Sequence, residues 1–180
     1  MSVIDLDQAA TTAVRREVLA AEGLDAARAV VAQLCGVRAS QVVFTSGGTE
    51  ADNLAVIGLT LGAIESGRGR HIVISAIEHE AVRASADYLA RWHGVEVSVL
   101  PVDNSGLTDL GRLAELVRPD TALVSVHHAN NEVGTVQPVQ ALGQAAHAVG
   151  ALFHVDAVQT AGWVSLDPAL SPELSTADAI

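Results

Sequence analysis

HIVISAIEHEAVRASADYLARW, residues 71–92, changes its hydrophobic period partway along. Its first five residues are an apolar, β-branched run of the kind that forms a buried strand. From Val82 onward the apolar positions Val82, Ala86, Leu89 and Trp92 recur, to within a position, at helical spacing. A strand that gives way to a helix within a few residues is one unit of an α/β fold. The polar triplet Glu78-His79-Glu80 stands at the joint.

The same alternation extends in both directions. Short apolar runs at 42–44 (VVF), 95–102 (VEVSVLPV), 122–126 (ALVSV) and 152–155 (LFHV) predict further buried strands. Between them, Leu54, Ile57, Leu61 and Ile64 predict one helix, Leu110, Leu113 and Val117 a second, and Val139, Leu142 and Ala146 a third. Turn chemistry marks the joints at 66–70 (SGRGR), 103–106 (DNSG) and 118–120 (RPD). The order predicts an α/β fold, three layers α/β/α with a mostly parallel sheet, without internal repeat, low-complexity tract or domain-sized linker. In such sheets ligands collect at the carboxyl ends of the strands.

Composition narrows the function classes. A chain of 180 residues suits one domain or a substantial part of a larger one. With 49% hydrophobic but only 3% aromatic residues, it has the small side chains that pack helices onto a sheet. A net charge of −11 without a basic stripe argues against nucleic acid as a partner. No apolar run reaches membrane-span length, and MSVIDLDQ lacks the basic and apolar regions of a signal peptide. The expected location is the cytoplasm, away from any membrane. Cys35 is the only cysteine, which excludes an intramolecular disulfide and argues against a cysteine-built metal site. Within VVAQLCGV it reads as a buried small hydrophobe. All ten positive side chains are arginines. A mechanism that needs a lysine amine must find it outside these residues.

Four polar clusters follow the predicted strands: Thr45-Ser46-Gly47-Gly48-Thr49, Glu78-His79-Glu80, His127 to Glu132, and Asp156-Ala157-Val158-Gln159. The first reads equally as a helix cap, with Thr49 as N-cap, and as a seat for a phosphate at the positive end of a helix. It lacks both the P-loop and the G-x-G-x-x-G spacing. His79 has the position of an ordinary helix-start histidine, or of a ring stacked on a planar cofactor and able to carry a proton near neutral pH. His127 and His128 are adjacent on a strand and point to opposite faces, so they do not share a metal ion, and no metal is expected. Asp156 is either the cap of a following turn or a carboxylate at the bottom of the crevice, whose burial a protonated pyridinium nitrogen would offset. Gln159 could then donate to a phenolate oxygen on the same ring. An anion seat, a stacking ring, an amide and a carboxylate together describe a pocket for pyridoxal 5'-phosphate.

The motifs LDQAATT (6–12), VVFTSGGTEADNLAV (42–56), EHEAV (78–82), HHANNEVGTVQPV (127–139) and FHVDAVQTAG (153–162) resemble, in order, those of the NifS/IscS-like cysteine desulfurases. These belong to the class V aminotransferase type of pyridoxal-phosphate enzymes with fold type I. The resemblance implies that Gly48 and Thr49 hold the cofactor phosphate and that His79 stacks on the ring and takes part in proton transfer. It implies that Asn131 lies near the ring oxygen and the substrate, that Asp156 pairs with the pyridine nitrogen, and that Gln159 bonds the ring oxygen. The implied activity removes sulfur from L-cysteine, giving L-alanine and an enzyme persulfide for an iron–sulfur scaffold or another sulfur acceptor. The implied assembly is a homodimer. Selenocysteine lyase, another class V enzyme and a non-catalytic homologue are the alternatives, the HHANNEVG motif favouring the desulfurases.

The sequence also departs from the family pattern. The family's cofactor-linking lysine follows the DAVQ-type motif by some two dozen residues, and the persulfide cysteine, a substrate-binding arginine and a small C-terminal domain follow later. None of these is found up to Ile180. Cys35 therefore does not take the persulfide role. The reading divides the chain into a shortened N-terminal segment, 1–23, and a cofactor-binding large domain, 24–180, that stops before the lysine. It expects the missing segments to belong to the protein, because a desulfurase without lysine could not link its cofactor.

Overall fold

The computed structural model of the protein describes residues 21–180. LDQAATT, and the predicted N-terminal segment up to residue 20, lie outside the described residues. Helices α1 (Ala21–Leu34) and α2 (Gly48–Glu65) come first. The order continues with β1 (His71–Ser75), α3 (Glu80–His93), β2 (Glu96–Leu100) and α4 (Leu110–Leu116). Strand β3 (Thr121–His127), helix α5 (Val139–Ala148) and strand β4 (Leu152–Asp156) complete it. The strands form one parallel sheet in the order β2-β1-β3-β4. The predicted α/β architecture is thus present as a four-stranded piece.

Alternation along the strands builds the layers, because successive side chains leave a strand on opposite faces. Ile72, Ile74 and Leu123 pack with Val56 of α2 and with Val82, Ala86 and Leu89 of α3. Val73, Val124, Val126, Phe153 and Val155 pack on the other face with Leu113 of α4 and with Val139, Leu142 and Ala146 of α5. Each large side chain buried this way contributes about 1.5–3 kcal/mol. Helix α3 starts where the Nδ1 of His79 accepts the Ala81 N–H at 3.2 Å, and it stops at Gly94, whose φ of 63° is left-handed.

Several expectations need correction. Val42-Val43-Phe44 forms no strand: its backbone is extended at Val42, but among the described residues no neighbouring strand pairs with it, and Val43 is 65% exposed. Arg28 holds it instead, donating to the Val42 carbonyl and lying 4.9 Å over the Phe44 ring. In α2 the buried face runs through Asp52, Val56, Thr60 and Ala63, one position away from the predicted Leu54 stripe. Trp92 lies outside the core, beneath the Arg91 guanidinium. Strand β2 is the sheet edge and leaves Glu96 and Val99 exposed. Cys35 is half-buried.

Candidate functional site

A cavity of about 990 Å³ opens at the carboxyl ends of β1, β3 and β4, beside the N-terminus of α2. That is the size range of small-molecule sites. It lies where the strand order reverses, since the chain runs from β1 outward to β2 and then returns to β3 on the other side of β1. Gly48, Thr49, His79, Asn131, Asp156 and Gln159, the six residues singled out by the sequence, all line it.

Each side chain arrives by a separate route. The cap of α2 is Gly47, without a side-chain hydrogen bond, so Thr49 belongs to the first turn and is not the N-cap. Glu50 supplies the capping by reaching back to the N–H and Oγ of Ser46, both at 2.6 Å. These two bonds hold the Glu50 carboxyl below its usual range. The first-turn N–H groups of α2 have no partner within the helix and border the cavity. His79 is exposed at the rim, and because its Nδ1 accepts from Ala81, a neutral ring carries its proton on Nε2.

Asn130 and Asn131 divide the third cluster. Asn130 holds the loop, donating to the Ile77 carbonyl at 3.2 Å and accepting from the N–H groups of Glu132 and Val133. Asn131 is exposed to the cavity. His127 faces this cavity, whereas His128 lines a smaller one on the far side and contacts Thr160 at 3.0 Å, as strand alternation predicts. Among the described residues no three His, Cys, Asp or Glu side chains are arranged to hold a metal ion. Asp156 ends β4 in register with His127, half-buried, and its Oδ1 accepts the Val158 N–H at 2.9 Å. It is therefore both turn cap and cavity wall.

Beneath lies a buried layer in which Glu78 and His127 come from the polar clusters of the sequence, whereas Asp52 and His154 are not signalled by them. Asp52 of α2 approaches the Nε2 of His154 to 3.9 Å, and His154 contacts Ser125 at 2.9 Å through Nδ1. Burial, reinforced by Asp156, raises the Asp52 carboxyl to about 7, and burial lowers His154 to about 4. Glu78 is bound by Ser75 and by the His127 N–H, and burial raises it to about 8. Among the described residues, its Oε2 and the Nε2 of His127 are buried without a partner. A polar residue on a buried helix stripe, as Asp52 is among Val56 and Ala63, was the one available signal.

This donor set fits pyridoxal 5'-phosphate. Unpaired N–H groups at a helix start suit a phosphate, a carboxylate suits a ring nitrogen, and the orphaned polar atoms show a floor built around further polar chemistry.

Known proteins supply an independent comparison. The family model for class V aminotransferases matches residues 5–169. The cysteine desulfurase IscS of Dictyoglomus turgidum is 36% identical over 185 residues, covering 90% of this chain and 46% of the relative. IscS of an Anaeromyxobacter species is 46% identical over 148 residues, covering 82% of this chain and 36% of the relative. The chain thus spans less than half the length of these curated relatives. Among solved structures, DndA from Streptomyces lividans matches with a TM-score of 0.70 and 42% identity over 77% of this chain and 38% of its own. SspA in complex with cysteine matches with a TM-score of 0.75 and 31% identity over 94% and 54% respectively.

Proposed function

The chain belongs to the class V aminotransferase family, and from that premise we propose that the whole protein is a pyridoxal-phosphate-dependent cysteine desulfurase. The carrying observation is the convergence of Gly48, Thr49, His79, Asn131, Asp156 and Gln159, from four separate segments of the chain, on one cavity. The named relatives are desulfurases, and one structural neighbour holds cysteine, which supports L-cysteine as the substrate.

When bound, pyridoxal phosphate supplies the electron sink that weakens bonds at the substrate α-carbon. The chain's own residues hold, orient and exchange protons. The first-turn N–H groups at Gly48 and Thr49 would seat the phosphate, aided by the helix dipole. Asp156, with Oδ1 engaged by Val158, would offer Oδ2 to the protonated ring nitrogen. Gln159 and Asn131 would orient the ring oxygen, and His79 would cover the ring face and exchange a proton at Nε2.

The sulfur passes to an enzyme cysteine and then to an acceptor such as an iron–sulfur scaffold, in a cytoplasmic homodimer. Cys35 does not serve, since its thiol is half-buried and pushed up by burial and by Asp167, away from the thiolate that such chemistry requires. The reading therefore requires a lysine and a second cysteine outside these 180 residues.

Asp156→Ala in the whole protein tests it. Loss of a charge-assisted hydrogen bond of about 1.5–3 kcal/mol predicts roughly 10- to 100-fold weaker cofactor binding by absorbance titration. L-alanine formation from L-cysteine should fall by at least about 100-fold. Undiminished L-alanine production by the variant would refute the role of Asp156. A wild-type protein that binds no cofactor would refute the reading as a whole, and turnover of L-selenocysteine but not L-cysteine would move it to the lyase.

A further inference from the structure

The floor of the cavity holds more ionisable groups than that reading uses. Asp52 enters from α2, Glu78 from the loop after β1 and Asp156 from the end of β4. The Glu78 side chain is wholly buried. Its Oε1 accepts from the Ser75 hydroxyl and, at 2.9 Å, from the His127 N–H, and it lies 3.4 Å from the Nδ1 of His127. At the outer ends of this pair, Glu78 Oε2 and His127 Nε2 are buried and unpartnered. The strand register sets His127 directly beside Asp156.

We propose that Glu78 and His127 form a neutral positioning pair, Glu78 as the protonated acid and His127 as the uncharged imidazole, which adds no charge of its own beside Asp156. The proposal rests on pyridoxal phosphate being the ligand of the cavity.

The alternative is an ion pair, Glu78 carboxylate with His127 imidazolium, and three observations oppose it. The Nδ1 to Oε1 separation of 3.4 Å exceeds that of a charge-assisted hydrogen bond. Oε1 already accepts from two donors, which favour a carboxylate in themselves but leave Oε1 no third lone pair for an imidazolium Nδ1–H. An ionised Glu78 would leave the anionic Oε2 buried without a partner, which costs far more than burying a hydroxyl. Like charges point the same way, because carboxylates crowded on one floor cannot all ionise. Burial raises Glu78 and outweighs the opposing hydrogen bonds from Ser75 and the His127 N–H, with Asp156 and Asp52 adding to the rise, and burial lowers His127 against the pull of Asp156. The remaining titratable neighbour on the floor, His154 of β4, is itself held neutral by burial. His79 stands at the exposed rim.

The decisive measurement is carboxyl ¹³C NMR of the cofactor-free whole protein labelled at glutamate Cδ, with Glu78 assigned through Glu78→Gln. The Glu78 resonance should stay at its protonated position through pH 6.5 and move only above pH 7. Titration below pH 5.5 would overturn the proposal, as would imidazole ¹⁵N shifts showing His127 protonated at pH 7. Titration with pyridoxal 5'-phosphate at pH 7 gives the second readout. Glu78→Gln, the shape of the protonated acid, should bind within about threefold of wild type, whereas Glu78→Ala, which orphans Ser75 and the His127 N–H, should bind at least tenfold more weakly. Equal losses in both variants would overturn the neutral form. If Glu78→Gln does not fold, a His127→Gln variant identifies the Glu78 signal by its perturbed shift, and the wild-type titration still decides. Should wild type bind no pyridoxal phosphate, the cofactor reading fails while the NMR result on the pair stands by itself.

Discussion

Asn130 and Asn131 show how far two like residues diverge once folded. Asn130 makes three hydrogen bonds that tie the loop after β3 to itself and to Ile77, whereas Asn131 lies open to the cavity. Asn130→Ala should therefore lower stability by about 1–3 kcal/mol in urea denaturation, through the backbone groups it leaves unpaired. Asn131→Ala should change stability by less than about 0.5 kcal/mol and act only on cofactor binding. The opposite result would exchange the two roles. A reader of HHANNEVG can separate His127 from His128 by strand alternation, but no periodicity distinguishes two asparagines in a loop. The buried neighbours of Asp156 are equally out of reach, since Glu78 and His127 meet across 49 positions of chain.

At the scale of elements, periodicity served best where a helix has one apolar stripe. Helix α5 buries Val139, Leu142 and Ala146 as read, whereas α2 is apolar around much of its circumference and its buried face was misjudged by one position. Val42-Val43-Phe44 marks a different limit. Composition can favour an extended backbone, but a strand exists only where a neighbour supplies the ladder. Helix α5 also makes a contact that spacing does not reveal. A Cβ on Gly143 would come within 2.2 Å of Thr176 Oγ1 and 2.8 Å of Phe153 Cδ1. Gly143→Ala should cost about 1–3 kcal/mol of stability despite its better helix propensity; a neutral or stabilising change in the denaturation midpoint would show that α5 does not pack this closely. On α4, Asp109 caps the first turn through the N–H groups of Gly111 and Arg112, so Asp109→Ala should cost about 1 kcal/mol.

For the whole molecule, the buried carboxyls make stability depend on pH. Asp52 and Glu78, raised to about 7 and about 8, retain protons in the folded state that the unfolded chain has released above its ordinary carboxyl range. Stability must then fall as pH rises toward those values, by up to about 1.4 kcal/mol per pH unit for each carboxyl. His154, lowered to about 4, acts with the opposite sign between there and about 6.5, because only the unfolded chain takes up its proton in that interval. His71, His127 and His128, also lowered by burial, act with the sign of His154 until the unfolded chain has shed its histidine protons above about pH 7. From about pH 7.5 the carboxyls dominate, so the urea midpoint should decline from about pH 7.5 to 8.5, and Glu78→Gln should flatten the decline; a midpoint that rises over this range would contradict it. The sequence by itself determined the alternation of strand and helix, the parallel α/β class and, through the family resemblance, the six residues that line the cavity. The first two follow from local periodicity, and the gathering of His79, Asn131, Asp156 and Gln159 follows from the rule that loops after parallel strands share one edge of the sheet. Only the tertiary structure decided which face of α2 is buried, that residues 42–44 have no partner strand among the described residues, and that Asp52, Glu78, His127 and His154 lie together beneath Asp156. Burial and the approach of residues distant in sequence exist only after the layers pack, and the shifted ionisation of those groups is a consequence of that desolvation.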